Sequence, residues 1–88
     1  MSKHHELKIA PPYFTEVEAG RKLFEIRKND RDFQKQDKVR LREYGLKPCK
    51  KFTEDYTGRE LRCEITYVTS FGQKEGWVVF GIKIKESK

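Results

Sequence analysis

Three residues in the first third of the chain have the types and the spacing to hold an anionic, hydrogen-bonding ligand: Lys22, Glu25 and Arg27. Glu25 and Arg27 are two apart in an alternating segment, so on a strand their side chains project to one face. Lys22 stands where a short helix gives way to that strand, and its ammonium can swing over the same face. Arg supplies a planar fork of donors, Lys a point charge, and Glu an acceptor for an exocyclic amine. Such a trio could hold a phosphate and read a base edge. The competing reading is a surface Glu–Arg pair worth ~0–1 kcal/mol, with Lys22 merely solvated. Asn29 and Arg31 follow in the turn-rich stretch Asn29-Asp30-Arg31-Asp32 and extend the candidate site. Asn29 either satisfies backbone groups or points into the cleft, and the two aspartates read as turn caps or partners of Arg31.

The elements that must position these residues follow from periodicity. His5 to Ile9 alternates and predicts a first strand. Pro11-Pro12 then opens a helix of about two turns, with Tyr13, Phe14 and Val17 on one face and Gly20 as its left-handed cap. Beyond Gly20 the period changes to two. In 22–28, Phe24 and Ile26 face one side while Leu23, Glu25 and Arg27 face the other. In 38–44, Val39 and Leu41 point inward. A loop is expected over roughly 45–58. The next strand, 59–69, places Leu61, Cys63, Ile65 and Tyr67 on one face. The last, 77–84, looks apolar on both faces at its start, which predicts a central strand with Trp77 in the core. Residues 85–88 read as a frayed tail. Five strands and one short helix cannot cover both faces of an open sheet. The predicted fold is therefore mainly β with one short helix (α+β), a compact five-stranded and mostly antiparallel β-barrel with the helix at one mouth.

Composition bounds the function. A chain of 88 residues is too short for two cores, so one domain over 1–88 is expected. Charged residues make up 39%, which alone would suggest disorder, but 12% aromatics argue for a folded core. The formal charge of +6 favours a polyanionic partner such as RNA or a nucleotide. The apolar runs are too short for a membrane span. Cys49 and Cys63 lack CxxC spacing and no secretory h-region precedes them, so a reducing cytoplasm is the expected location. His4 and His5 fall on opposite faces of a strand, and no metal or other cofactor is expected.

A second basic feature is the stripe Lys38, Arg40 and Arg42, ending in Tyr44. It could track a phosphate backbone while Tyr44 stacks on a base, with Lys47, Lys50 and Lys51 extending it and Tyr56 a further aromatic. The alternative is the solvated outer face of a strand.

Gly20-x-Lys22-x-x-Glu25-x-Arg27 resembles the GxKxxExR signature of the ASCH domain (activating signal cointegrator homology), a branch of the PUA-like superfamily. The segments 5–9, 29–33 and 72–82 are similar to a short bacterial and phage ASCH-like family catalogued as a domain of unknown function (3850). The resemblance covers roughly residues 5–85. It implies a PUA-like barrel whose cleft, beside the helix, is lined by Lys22, Glu25 and Arg27 and binds RNA, a nucleotide or a nucleoside. Some ASCH-like proteins are amidohydrolases that deacylate modified cytidine with a Thr nucleophile and a nearby Lys. Lys22 fits that pattern, but Glu25 occupies the position expected for the Thr, which counts against the activity. Two alternatives stay open: water activation by Glu25 with Lys22 on a modified nucleoside, and a protein-interaction accessory module. Gln36 stands where the resemblance leads one to expect Gly, suggesting a different turn.

Overall fold

The computed structural model describes residues 2–47 and 50–87, with the side chains of 47, 50–53 and 87 outside the description. The element order is β1 (His4–Ile9), α1 (Pro11–Glu18), β2 (Phe24–Lys28), β3 (Lys38–Lys47), β4 (Lys50–Thr69) and β5 (Trp77–Ser87). Ala10 is extended (φ −67°, ψ 148°), as a residue before proline is forced to be, and Pro11 and Pro12 open α1. Gly20 lies just past the helix end at φ +80°, turning the chain toward β2.

The strands form one mixed sheet in the order β1-β3-β4-β5-β2. β1 runs parallel to β3, and the other three pairings are antiparallel. The mainly β content and the single short helix match the expectation, but the sheet does not close into a barrel. β1 and β2 are its two edges and do not hydrogen-bond to each other. The sheet curves until these edges face one another, and side chains rather than a ladder span the gap: Arg27 Nη2 donates to Lys8 O at 2.8 Å.

Leu7, Ile9, Val39, Leu41, Leu61, Cys63, Ile65, Val78, Phe80 and Ile82 line the concave side. Phe14 and Val17 of α1 plug into them, and Phe33 joins from the loop before β3. Tyr13 instead stays exposed. Close approach of the helix explains Gly45: a Cβ there would stand 2.7 Å from Pro11 Cγ.

Several expectations are corrected. The loop over 45–58 is largely a β-ribbon, in which Tyr44 pairs with Tyr56, Gly45 with Asp55 and Leu46 with Glu54. A two-stranded ribbon satisfies its main chain by its own ladder and needs no apolar alternation to announce it. The expected frayed tail pairs too, Glu86 with Arg62 and Ser87 with Leu61, so β5 reaches Ser87. Tyr67 leaves the buried face of its strand because the register shifts between Ile65 and Tyr67, and it is 65% exposed. Gln36 adopts φ +76°, the left-handed conformation that favours glycine. That geometry costs ~1–2 kcal/mol for a residue with a Cβ. It is held by Gln36 N–H donating to Ile65 O at 2.7 Å and by Ile65 N–H donating to Asp37 O at 2.8 Å.

Candidate functional site

β2 is built the wrong way round for an ordinary strand. Its partners in β5, Phe80 and Val78, point into the core, and the residues opposite them are Glu25 and Arg27. Its apolar residues point out, leaving Phe24 42% and Ile26 51% exposed. β2 thus adds no apolar side chain to the core cluster and instead places a buried carboxylate, Glu25, at the core's edge. Burying a charge is unfavourable unless it is paired. Here both oxygens are engaged. Lys22 Nζ donates to Oε2, and Arg27 Nη2 donates to Oε1 at 2.9 Å.

These three side chains lie in a cleft of about 750 Å³ between β1 and β2. Tyr13 and Lys22 stand at one end, Asp30, Arg31 and Trp77 at the other, and Leu7, Ile9 and Phe33 lie deeper. Cations of the wall are tied to main-chain carbonyls. Lys22 Nζ donates to Phe24 O at 2.9 Å, Arg27 to Lys8 O at 2.8 Å, and Arg31 Nη1 to Glu6 O at 3.0 Å. The Lys22 ammonium also sits 5.0 Å from the Phe24 ring centre and 5.6 Å from that of Tyr13. Lys22, Arg27, Lys28 and Arg31 have only Glu25 and Asp30 as lining carboxylates, so the cleft carries excess positive charge. Its chemistry is that of an anion site with aromatic walls and one fixed acceptor. The Cys63 thiol is pushed up to about 11, by burial first and by the charge of Glu25 second, and is no nucleophile at neutral pH.

The structure brings Lys22, Glu25, Arg27 and Arg31 together and places the other predicted residues elsewhere. Asn29 accepts from Phe33 N–H at 3.0 Å, the backbone-satisfying role. Asp32 pairs with Lys3 at 3.1 Å rather than with Arg31. Lys38, Arg40 and Arg42 lie on the convex face and are ion-paired there. Lys38 bonds Glu64 at 2.7 Å, Arg40 bonds both Glu60 and Glu6, and Arg42 bonds Glu6 at 2.9 Å. Tyr44 and Tyr56 meet edge to face at 5.2 Å, with Lys8 over the first and the Arg42 guanidinium 3.7 Å from the centre of the second. The side chains of Lys47, Lys50 and Lys51, and all of Cys49, fall outside the described residues.

Trp77 corrects a prediction: it is 38% exposed and lines the cleft instead of filling the core. It pairs with Lys28, the last residue of an edge strand. Periodicity also passed over Tyr13 and Phe24 as cleft walls, although the polar-in, apolar-out order of 24–27 was visible once one face was known to be buried. Buried acids were missed as well. Asp37 accepts from Lys3 N–H, Gln34 N–H and His5 Nε2. Burial alone would raise its carboxyl, but these bonds hold it below the ordinary aspartate range. Glu43 accepts from Thr57 Oγ1 at 2.6 Å. Among the described residues no group of three or more His, Cys, Asp or Glu side chains could hold a metal ion, and no helix is long and apolar enough to cross a membrane.

The chain is 37% identical over 71 residues to an uncharacterized 12.9 kDa protein in the GpA 3'region of Escherichia phage P2. That alignment covers 78% of this chain and 57% of the phage protein, so the chain spans little more than half the length of that relative. Residues 4–82, which include both walls of the cleft, β1 to β4 and the first part of β5, match one family model, and the chain belongs to that family: Domain of unknown function (DUF3850).

Proposed function

We propose that this chain is an ASCH/PUA-like module whose β1–β2 cleft binds RNA or a nucleotide. The observation that carries this reading is the buried Glu25 carboxylate held between Lys22 and Arg27 inside a cleft with exposed aromatic walls. Arg27 uses Nη2 for both Glu25 and Lys8 O, which leaves the N–H groups of Nε and Nη1 as separate single donors for a phosphate or a base edge. Each Glu25 oxygen keeps acceptor capacity for an exocyclic amine. Tyr13, Phe24 and Trp77 offer faces on which a base can stack. An incompletely closed sheet with the slot between its edges is compatible with a PUA-like barrel that opens at its ligand cleft.

The experiment is a titration of the protein with a panel of nucleosides, nucleoside monophosphates and short RNAs at several salt concentrations. Salt-dependent binding that Arg27→Ala weakens, with the thermal melt still cooperative, is the expected result. Wild-type protein without salt-dependent affinity for any RNA, DNA or nucleotide overturns the reading. Hydrolysis of an acylated nucleoside by Glu25 and Lys22 is the second reading. It requires turnover of N-acyl nucleosides that vanishes in Glu25→Gln. Occupation of both Glu25 oxygens by cations favours binding over catalysis.

A further inference from the structure

From the spacing of the anchored arginines we infer that the cleft takes a single-stranded oligonucleotide rather than a lone nucleotide, with successive phosphates at Arg27 and Arg31. This rests on the nucleotide-binding reading above and extends it to the ligand's length. The two guanidiniums are tethered to Lys8 O and Glu6 O of β1. These carbonyls are two residues apart on one strand edge, so they repeat at roughly 6.6 Å. That repeat is close to the separation of neighbouring phosphates in a stretched nucleic-acid strand. Both arginines retain donors: Arg27 has Nε and Nη1 free of these tethers, and Arg31 has Nη2. Their side chains are 27% and 47% exposed, so a ligand can reach them without unfolding the wall.

The two ends of the cleft supply base platforms. Lys22, Glu25, Tyr13 and Phe24 form the first. Trp77, 38% exposed and paired with Lys28 at the far end of β2, forms the second. β2 spans five residues, or about 17 Å, enough for a strand of about two stretched nucleotides between the platforms. A mononucleotide would engage one end and leave the other end's aromatic and arginine unused. The phosphodiester chemistry is common to RNA and DNA, so the test includes both.

The test compares ribo- and deoxyribohexanucleotides with their mononucleotides, by anisotropy of labelled hexamers and by calorimetry for the monomers. The expected result is hexamer affinity at least about tenfold above that of the mononucleotide, with a log–log salt slope near −1.4 for two phosphates. Arg31→Ala is expected to lower that slope by about 0.7 and to collapse the hexamer-to-monomer ratio, as is Trp77→Leu for the ratio. Arg31→Lys, which keeps the charge, is expected to keep the slope, separating phosphate contact from a folding defect. Equal affinity for hexamer and monomer overturns the inference, as does an Arg31→Ala effect of the same size on both. Binding of mononucleotides alone leaves the cleft assignment standing while removing this extension. Binding of neither removes both.

Discussion

Glu25 and Glu60 are both buried carboxylates held by two cations, yet they sit in opposite chemical situations. On the convex face, Arg40 and Arg42 flank Glu60, and Glu6 takes a second bond from each, giving two guanidiniums to two carboxylates. In the cleft, Lys22 and Arg27 share Glu25 alone. Residue types and spacings are nearly the same in the two regions. What differs is stoichiometry: around Glu60 two guanidiniums meet two carboxylates, while in the cleft two cations meet one. The basic stripe that is conspicuous in the sequence is ion-paired within its own face, while the shorter motif has one carboxylate for its two cations.

The largest effect that would test this contrast is on binding. Arg27→Ala is expected to weaken nucleotide binding about 10- to 100-fold, the worth of one or two charge-assisted hydrogen bonds, measured by titration calorimetry. The matching change on the convex face, Glu60→Gln, is expected to leave that affinity unaltered while lowering stability by ~1 kcal/mol in urea unfolding. Equal losses of affinity in the two variants would erase the distinction between the regions.

A pH series sharpens it. The hydrogen bond from Arg40 holds the Glu60 carboxyl below its unfolded value near 4.5, against the opposing push of burial. A depressed carboxyl stabilises the fold fully above its unfolded value, and that contribution is lost as pH falls through the folded value. Thermal melts from pH 7 to 3 are expected to fall more steeply for wild type than for Glu60→Gln. The smallest effect is expected at Lys38→Ala, where a half-exposed pair with Glu64 is lost. Stability is expected to change little and nucleotide affinity not at all.

Much of the secondary structure was legible because alternation and proline placement are local. Val39 and Leu41 inward with Arg40 and Arg42 outward, and Pro11 at the head of a helix that buries Phe14 and Val17, follow from periods of two and 3.6. The 45–58 ribbon was not legible, because Gly45, Leu46, Glu54 and Asp55, which pair across it, show no apolar alternation. Trp77 was misplaced because an apolar run at a strand's start looks the same whether the neighbouring sheet edge is covered or open. Glu25 and Arg27 were correctly assigned one face, but the motif could not say which face was buried.

By itself the sequence determined the existence of five strands and one helix, most of the apolar core and the same-face spacing of Glu25 and Arg27, since each depends on neighbours a few residues away. Tertiary structure alone decided that β1 and β2 end up opposite one another unpaired. That juxtaposition brings Arg27 to a carbonyl 19 residues away and Arg31 to one 25 residues away. The curvature of the sheet also settles which charges cancel and which stay available. Charge cancellation depends on distances between distant segments, which hydrophobic periodicity does not encode.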